Sequence, residues 1–128
     1  MGDGVLKLTY GNLTQWGAKV RGWVSSKVAD IFMFLETRQR GKKLNTLRRQ
    51  MGLAGFKAYA TPAVATSKSV SLEDMACSGG ELILLRKGLV TRSLVACQPS
   101  GWVAAAIFLA EVQAHLVLIT LYLLPGAS

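Results

Sequence analysis

Five apolar residues in succession, Ile31-Phe32-Met33-Phe34-Leu35, follow Asp30 and end at Glu36-Thr37-Arg38. A strand with one wet face alternates apolar and polar residues, whereas an unbroken run of strand length reads as a central strand covered on both sides. The remainder of the chain must then supply that cover. It has the means: the apolar fraction is 51% with three Trp, and only 17% of residues are charged. Such a composition buries enough surface to offset the lost chain entropy, which excludes wholesale disorder. A chain of 128 residues fits one domain, taken as residues 1–128.

The neighbouring segments show what the cover is. Residues 5–10 alternate as a strand does and precede a break at Gly11-Asn12. From Thr14 to Lys27, Trp16, Val20, Trp23 and Val24 recur at helical spacing, predicting a helix with both tryptophans on one face. Residues 42–52 predict a second helix, with Leu44, Leu47 and Met51 on one side and Gly52 as its cap. Phe56 to Thr61 reads as a short strand and Pro62 to Ser78 as a long exposed loop. Gly79-Gly80 then opens a strand from Glu81 to Leu85, and a turn at Arg86-Lys87-Gly88 leads into Leu89 to Cys97, predicting a hairpin between the two.

The last apolar stretch, Trp102 to Leu124, is long enough to span a bilayer, but Glu111, Gln113 and His115 interrupt it where polar groups are costly in lipid. A hairpin of 102–110 and 116–123 with those three in its turn fits better, and no stable membrane association is expected. A C-terminal anchor over 102–124 behind a basic domain is the alternative. Cys77 and Cys97 are too few and too far apart for a zinc motif or a disulfide framework, and read as small buried hydrophobes. No secretory leader pattern opens the chain, which favours an intracellular setting, the nucleus included.

Fifteen Lys and Arg against seven Asp and Glu give a net charge of +8. The excess is uneven, since residues 1–68 hold twelve bases and three acids. Arg38, Arg40, Lys42, Lys43, Arg48 and Arg49 crowd beside the end of the apolar run, and a local field of that sign attracts polyanions such as nucleic acid. A solvated helix face is the plain alternative.

Four short segments, taken in order, carry a family resemblance: Thr9-Tyr10-Gly11-Asn12, Phe34-Leu35-Glu36-Thr37, Ser78-Gly79-Gly80-Glu81-Leu82-Ile83-Leu84 and Leu121-Tyr122-Leu123-Leu124-Pro125-Gly126. Their order and spacing resemble the endonuclease/exonuclease/phosphatase superfamily, which includes apurinic and retroelement-type endonucleases. The resemblance implies an α/β (α+β) fold, part of a four-layered α/β sandwich with a mixed, mostly antiparallel sheet and two N-terminal helices. It also implies Mg²⁺ (or Mn²⁺) held by Glu36, a ligand or phosphate oriented by Asn12, and a scissile phosphate contacted by Tyr122. Arg38, Arg40, Lys42 and Lys43 would hold flanking phosphates of a nucleic acid, DNA first. This chemistry suits those residues, because a phosphodiester resists attack until a hard cation neutralises its oxygens, and a carboxylate at a rigid strand end holds such a cation.

Each role has an ordinary counterpart. Glu36 can close the strand and pair with Arg38; Asn12 can serve the turn beside Gly11; Tyr122 can pack on the sheet. His115 reads as a turn residue and Glu81 as a strand-face residue. Family members also carry a Gly-Asp-x-Asn and a late Ser-Asp-His motif, absent from this sequence. The expectation is therefore a DNA-directed phosphodiesterase domain represented by its first half. It would be inactive alone, with Phe32, Phe34, Ile119 and Leu121 incompletely covered and self-association following from that exposure. A non-catalytic nucleic-acid-binding remnant of the same fold is the second reading.

Overall fold

A computed structural model describes residues 6–26, 28–65, 77–89, 91–98, 102–109 and 114–121. Within them the elements run β1 (Leu8–Asn12), α1 (Ala18–Ser25), β2 (Ile31–Leu35), α2 (Gly41–Leu53), β3 (Phe56–Ala60), β4 (Val64–Ala65), β5 (Cys77–Ser78), β6 (Leu82–Arg86), β7 (Thr91–Gln98), β8 (Trp102–Leu109) and β9 (Ala114–Leu121). The main sheet has the order β1-β2-β6-β3. It is mixed, with β1 parallel to β2 and β6 antiparallel to both β2 and β3. Two adjacent parallel strands need a crossover between them, and α1 provides it.

The apolar run forms an interior strand, as its composition requires. Strand side chains alternate between faces. Phe32 and Phe34 therefore join one core with Val24, Leu44, Leu47, Met51 and Phe56, under the two helices. Ile31 and the partly buried Met33 join a second core with Ile83, Leu85 and Leu118, against β9. β6 divides in the same way, Leu82 and Leu84 toward the helices and Ile83 and Leu85 toward β9. Among the described residues the helices thus lie on one side of the main sheet and a second sheet, β7-β8-β9, on the other.

Asp30 pins one end of this arrangement. Its carboxylate accepts from the Lys7 backbone N–H at 2.9 Å and from Arg86 Nε at 2.7 Å, while its own N–H donates to the Lys7 carbonyl and its carbonyl accepts from Arg86 N–H. The segment before β1, the start of β2 and the end of β6 are joined through one residue.

Several local expectations are corrected. β1 continues through Gly11 and Asn12, because the parallel ladder pairs Gly11 with Phe34 and Asn12 with Leu35 and overrides the local break signal. α1 begins only at Ala18, so Trp16 precedes it and is buried, whereas Trp23 is 42% exposed and meets Phe32 edge-on at 5.5 Å. α2 runs past Gly52, and Gly55 takes the left-handed conformation after the helix with φ 99°. The residues of the 62–78 loop that are described include a two-residue pairing of β4 with β5, and 66–76 lie outside the described residues.

The expected hairpin between β6 and the next strand does not form. Both edges of β6 are taken by β2 and β3, so β7 pairs with β8 instead. The final hairpin is present as β8–β9, but His115 lies within β9 opposite Phe108 rather than in the turn, and 110–113 lie outside the described residues. No helix among the described residues is long and apolar enough to cross a membrane. Phe32 and Phe34, expected to lack cover, are 0% and 1% exposed because α1 and α2 close over them. Ile119 is exposed, as expected, on the outer face of β9 beside Val117; the Leu121 side chain lies outside those described.

Candidate functional site at the ends of the parallel strands

β1 and β2 run in the same direction and stop together, Asn12 opposite Leu35. Ligand sites of open α/β sheets form beyond such carboxyl ends. The chain leaving each strand is tied to the other: Leu13 N–H donates to the Leu35 carbonyl and Trp16 N–H to the Thr37 carbonyl, both at 2.9 Å. Thr37 and Arg38 N–H groups donate to the carbonyls of Gly80 and Gly79, and Ala63 N–H to that of Gln39. Loops near residues 13, 37, 62 and 80 therefore meet at one edge.

This edge holds three non-glycine residues with positive φ, Thr14 at 58°, Glu36 at 57° and Arg38 at 55°. The left-handed region costs an L-residue about 1 kcal/mol; the Gly79 carbonyl accepts from Arg38 N–H there, and Asn12 Oδ1 from Thr14 N–H. Gly80 has a specific steric reason: with φ at 90°, a Cβ on it would sit 2.5 Å from Thr37 Oγ1.

Asn12 Oδ1 accepts from Thr14 N–H at 3.0 Å, an Asx turn, so the ordinary role weighed for Asn12 is realised. Glu36 is largely buried, with 12% of its side chain exposed, and Arg38 Nη2 lies 3.9 Å from its Oε2. Glu36 and Asn12 are thus brought to the same sheet edge, and the Arg38 pairing weighed for Glu36 is present as well. Arg40 is the N-cap residue of α2, while Lys42 and Lys43 are exposed in its first turn. Arg48 is drawn away from the cluster, donating to the Ala60 carbonyl at 3.0 Å. Tyr122 lies outside the described residues.

Sequence reasoning misjudged Glu81. It precedes β6, is 1% exposed, and its Oε2 accepts a hydrogen bond from Thr61 Oγ1, which in turn accepts from Glu81 N–H. Oε1 is buried with no partner. Burial pushes the carboxyl pKa up, against the lowering effect of the Thr61 and backbone hydrogen bonds. The signal was an acid wedged between Gly79-Gly80 and Leu82-Ile83-Leu84-Leu85, where a charge has little water. A folded carboxyl that holds its proton while the unfolded one has lost it makes stability fall with rising pH. Urea midpoints should therefore decline as pH rises above the ordinary glutamate range, with Glu81→Gln flattening that decline; an unchanged slope in the variant would remove Glu81 as its source.

Among the described residues no group of three or more His, Cys, Asp and Glu is placed to hold a metal ion. Glu36 alone, with Asn12 beside it, represents the metal-ligand chemistry expected from the sequence. No protein-family model matches this chain, and no curated protein or solved structure matches it.

Proposed function

We propose that this chain is a phosphodiester-binding domain of the endonuclease/exonuclease/phosphatase type, acting on DNA, in which Glu36 is the carboxylate for a Mg²⁺ or Mn²⁺ ion. The observation that carries the reading is the meeting of Asn12 and Glu36 at the carboxyl ends of the parallel pair β1–β2, with Arg38 beside them. Mg²⁺ is held by one or two carboxylates and otherwise keeps waters or takes phosphate oxygens. A single carboxylate at a constrained strand end fits that donor set, the substrate completing the shell. Arg38, Arg40, Lys42 and Lys43 would neutralise neighbouring phosphates, and Tyr122 would contact the scissile one. Cleavage further requires a placed proton acceptor, and the lone His115 sits opposite Phe108 in a regular strand. Turnover by this chain alone is therefore not expected. The four-layered form of the sandwich, and self-association through the exposed Val117 and Ile119 face of β9, belong to the same proposal.

The test is binding of a labelled DNA duplex followed by anisotropy, with Mg²⁺ or with EDTA, for the native chain and Glu36→Gln. Mg²⁺ should tighten binding about tenfold, roughly 1.4 kcal/mol, in the native chain and not in the variant. A second reading, a nucleic-acid-binding remnant without metal chemistry, is supported by the pairing of Glu36 with Arg38, a structural role for that carboxylate. Salt-sensitive binding indifferent to both EDTA and Glu36→Gln would select it.

A further inference from the structure

β9 pairs with β8 over its whole length without a shift in register, and among the described residues it is the last strand of its sheet. A sheet edge offers a row of N–H and C=O groups to any further strand, and it is blunted by a bulge, a proline or a charged side chain. β9 carries none of these: its ladder is regular, and its sequence holds no Pro, Lys, Arg, Asp or Glu. Leu118 is buried against the main sheet, with Thr120 buried too, whereas Val117 and Ile119 on the opposite face are 53% and 59% exposed.

Charge decides what can approach this edge. Residues 91–121 hold one of the fifteen Lys and Arg, Arg92, and one acid, Glu111. α2, with its bases, lies on the other side of the main sheet. A polyanion therefore gains little at β9, and two copies of a chain of net charge +8 repel least when they meet through this sheet. Opposite residues of an antiparallel pair point to the same face. A twofold axis at Leu118 thus sets Val117 against Ile119 of the second copy and Ile119 against its Val117. Both exposed side chains then gain a β-branched neighbour, a pairing that strands favour.

We propose that β9 pairs antiparallel with β9 of a second copy about a twofold axis at Leu118, joining two three-stranded sheets into one of six. This pairing rests on the self-association proposed above, to which it gives a partner and a register, and it does not require phosphodiester binding.

The test is sedimentation of the full chain in EDTA without DNA, over a range of concentrations, together with hydrogen exchange of residues 114–121. The native chain should form a reversible dimer, and the β9 amides should gain protection as the dimer fills. Val117→Lys and Ile119→Glu should each weaken the homodimer about tenfold or more, and mixing the two variants should restore association, because Lys at 117 then faces Glu at 119. Leu53→Lys, at a site 85% exposed on α2, should leave the dimer unchanged. Thermal melts confirm that each variant folds. A dimer without added protection in β9 would overturn the edge pairing while leaving self-association standing. A mixture no tighter than its components would overturn the register. A chain that stays monomeric would overturn both the pairing and the self-association, and none of these results alters the DNA-binding test.

Discussion

Phe32→Ala should destabilise the chain by about 4 kcal/mol, a value typical of emptying a large aromatic site. The side chain is fully buried and touches three other rings, Trp23 and Phe34 at 5.5 Å and Phe56 at 5.7 Å between centroids. It lies where α1, β2 and β3 meet, so the void cannot close without moving a helix. Domains of this size are stable by about 5–15 kcal/mol, so the loss is a large share of the total. Urea denaturation followed by Trp fluorescence measures it. Leu53→Ala is the control, since Leu53 is 85% exposed at the end of α2, and it should change stability by less than about 0.5 kcal/mol. A Phe32→Ala loss under about 1 kcal/mol would contradict the packing described, because even partial collapse leaves more than that.

Asp30→Ala should cost about 3 kcal/mol, the second largest effect, because it removes a half-buried charge and leaves its partners unpaired. Arg86 loses its 2.7 Å partner and the Lys7 N–H loses an acceptor, at the point where the start of the sheet is closed. The dependence on pH follows from the same contacts. Burial pushes the Asp30 carboxyl up, but the Lys7 hydrogen bond and the Arg86 guanidinium outweigh it and leave the pKa below the ordinary value. A lowered folded pKa makes the contribution complete above the ordinary aspartate range and lost as pH falls through the folded pKa. The gap between native and Asp30→Ala midpoints should therefore narrow in acid. A gap that is constant from neutral to acid pH would mean that packing, not the ion pair, carries the effect.

Glu36 shows how much of the site was legible and where legibility stopped. Its place at the end of a buried strand was readable from the abrupt change after Leu35, and the basic residues around it were readable from charge alone. Their division was not: Arg48 donates to the Ala60 carbonyl and Arg38 pairs with Glu36, while Lys42 and Lys43 line a cleft with Arg21, a residue on the other helix. Glu81 was misread because a strand-start acid looks the same whether it faces water or Thr61.

By itself the sequence determined the interior position of β2, the amphipathic character of both helices and the pairing of the last two strands. Each of these is a statement about how many faces of a short segment are apolar, and periodicity within one window reports that directly. The tertiary structure alone decided that β6 inserts antiparallel between β2 and β3 rather than pairing with β7. It alone brought Asn12 to the edge that Glu36 occupies, and Glu81 to Thr61. Those outcomes depend on which distant segment satisfies a strand edge or a buried polar atom, and a backbone hydrogen-bonding edge is nearly the same for every sequence. The choice is made by closing two cores at once, and no single stretch of residues contains it.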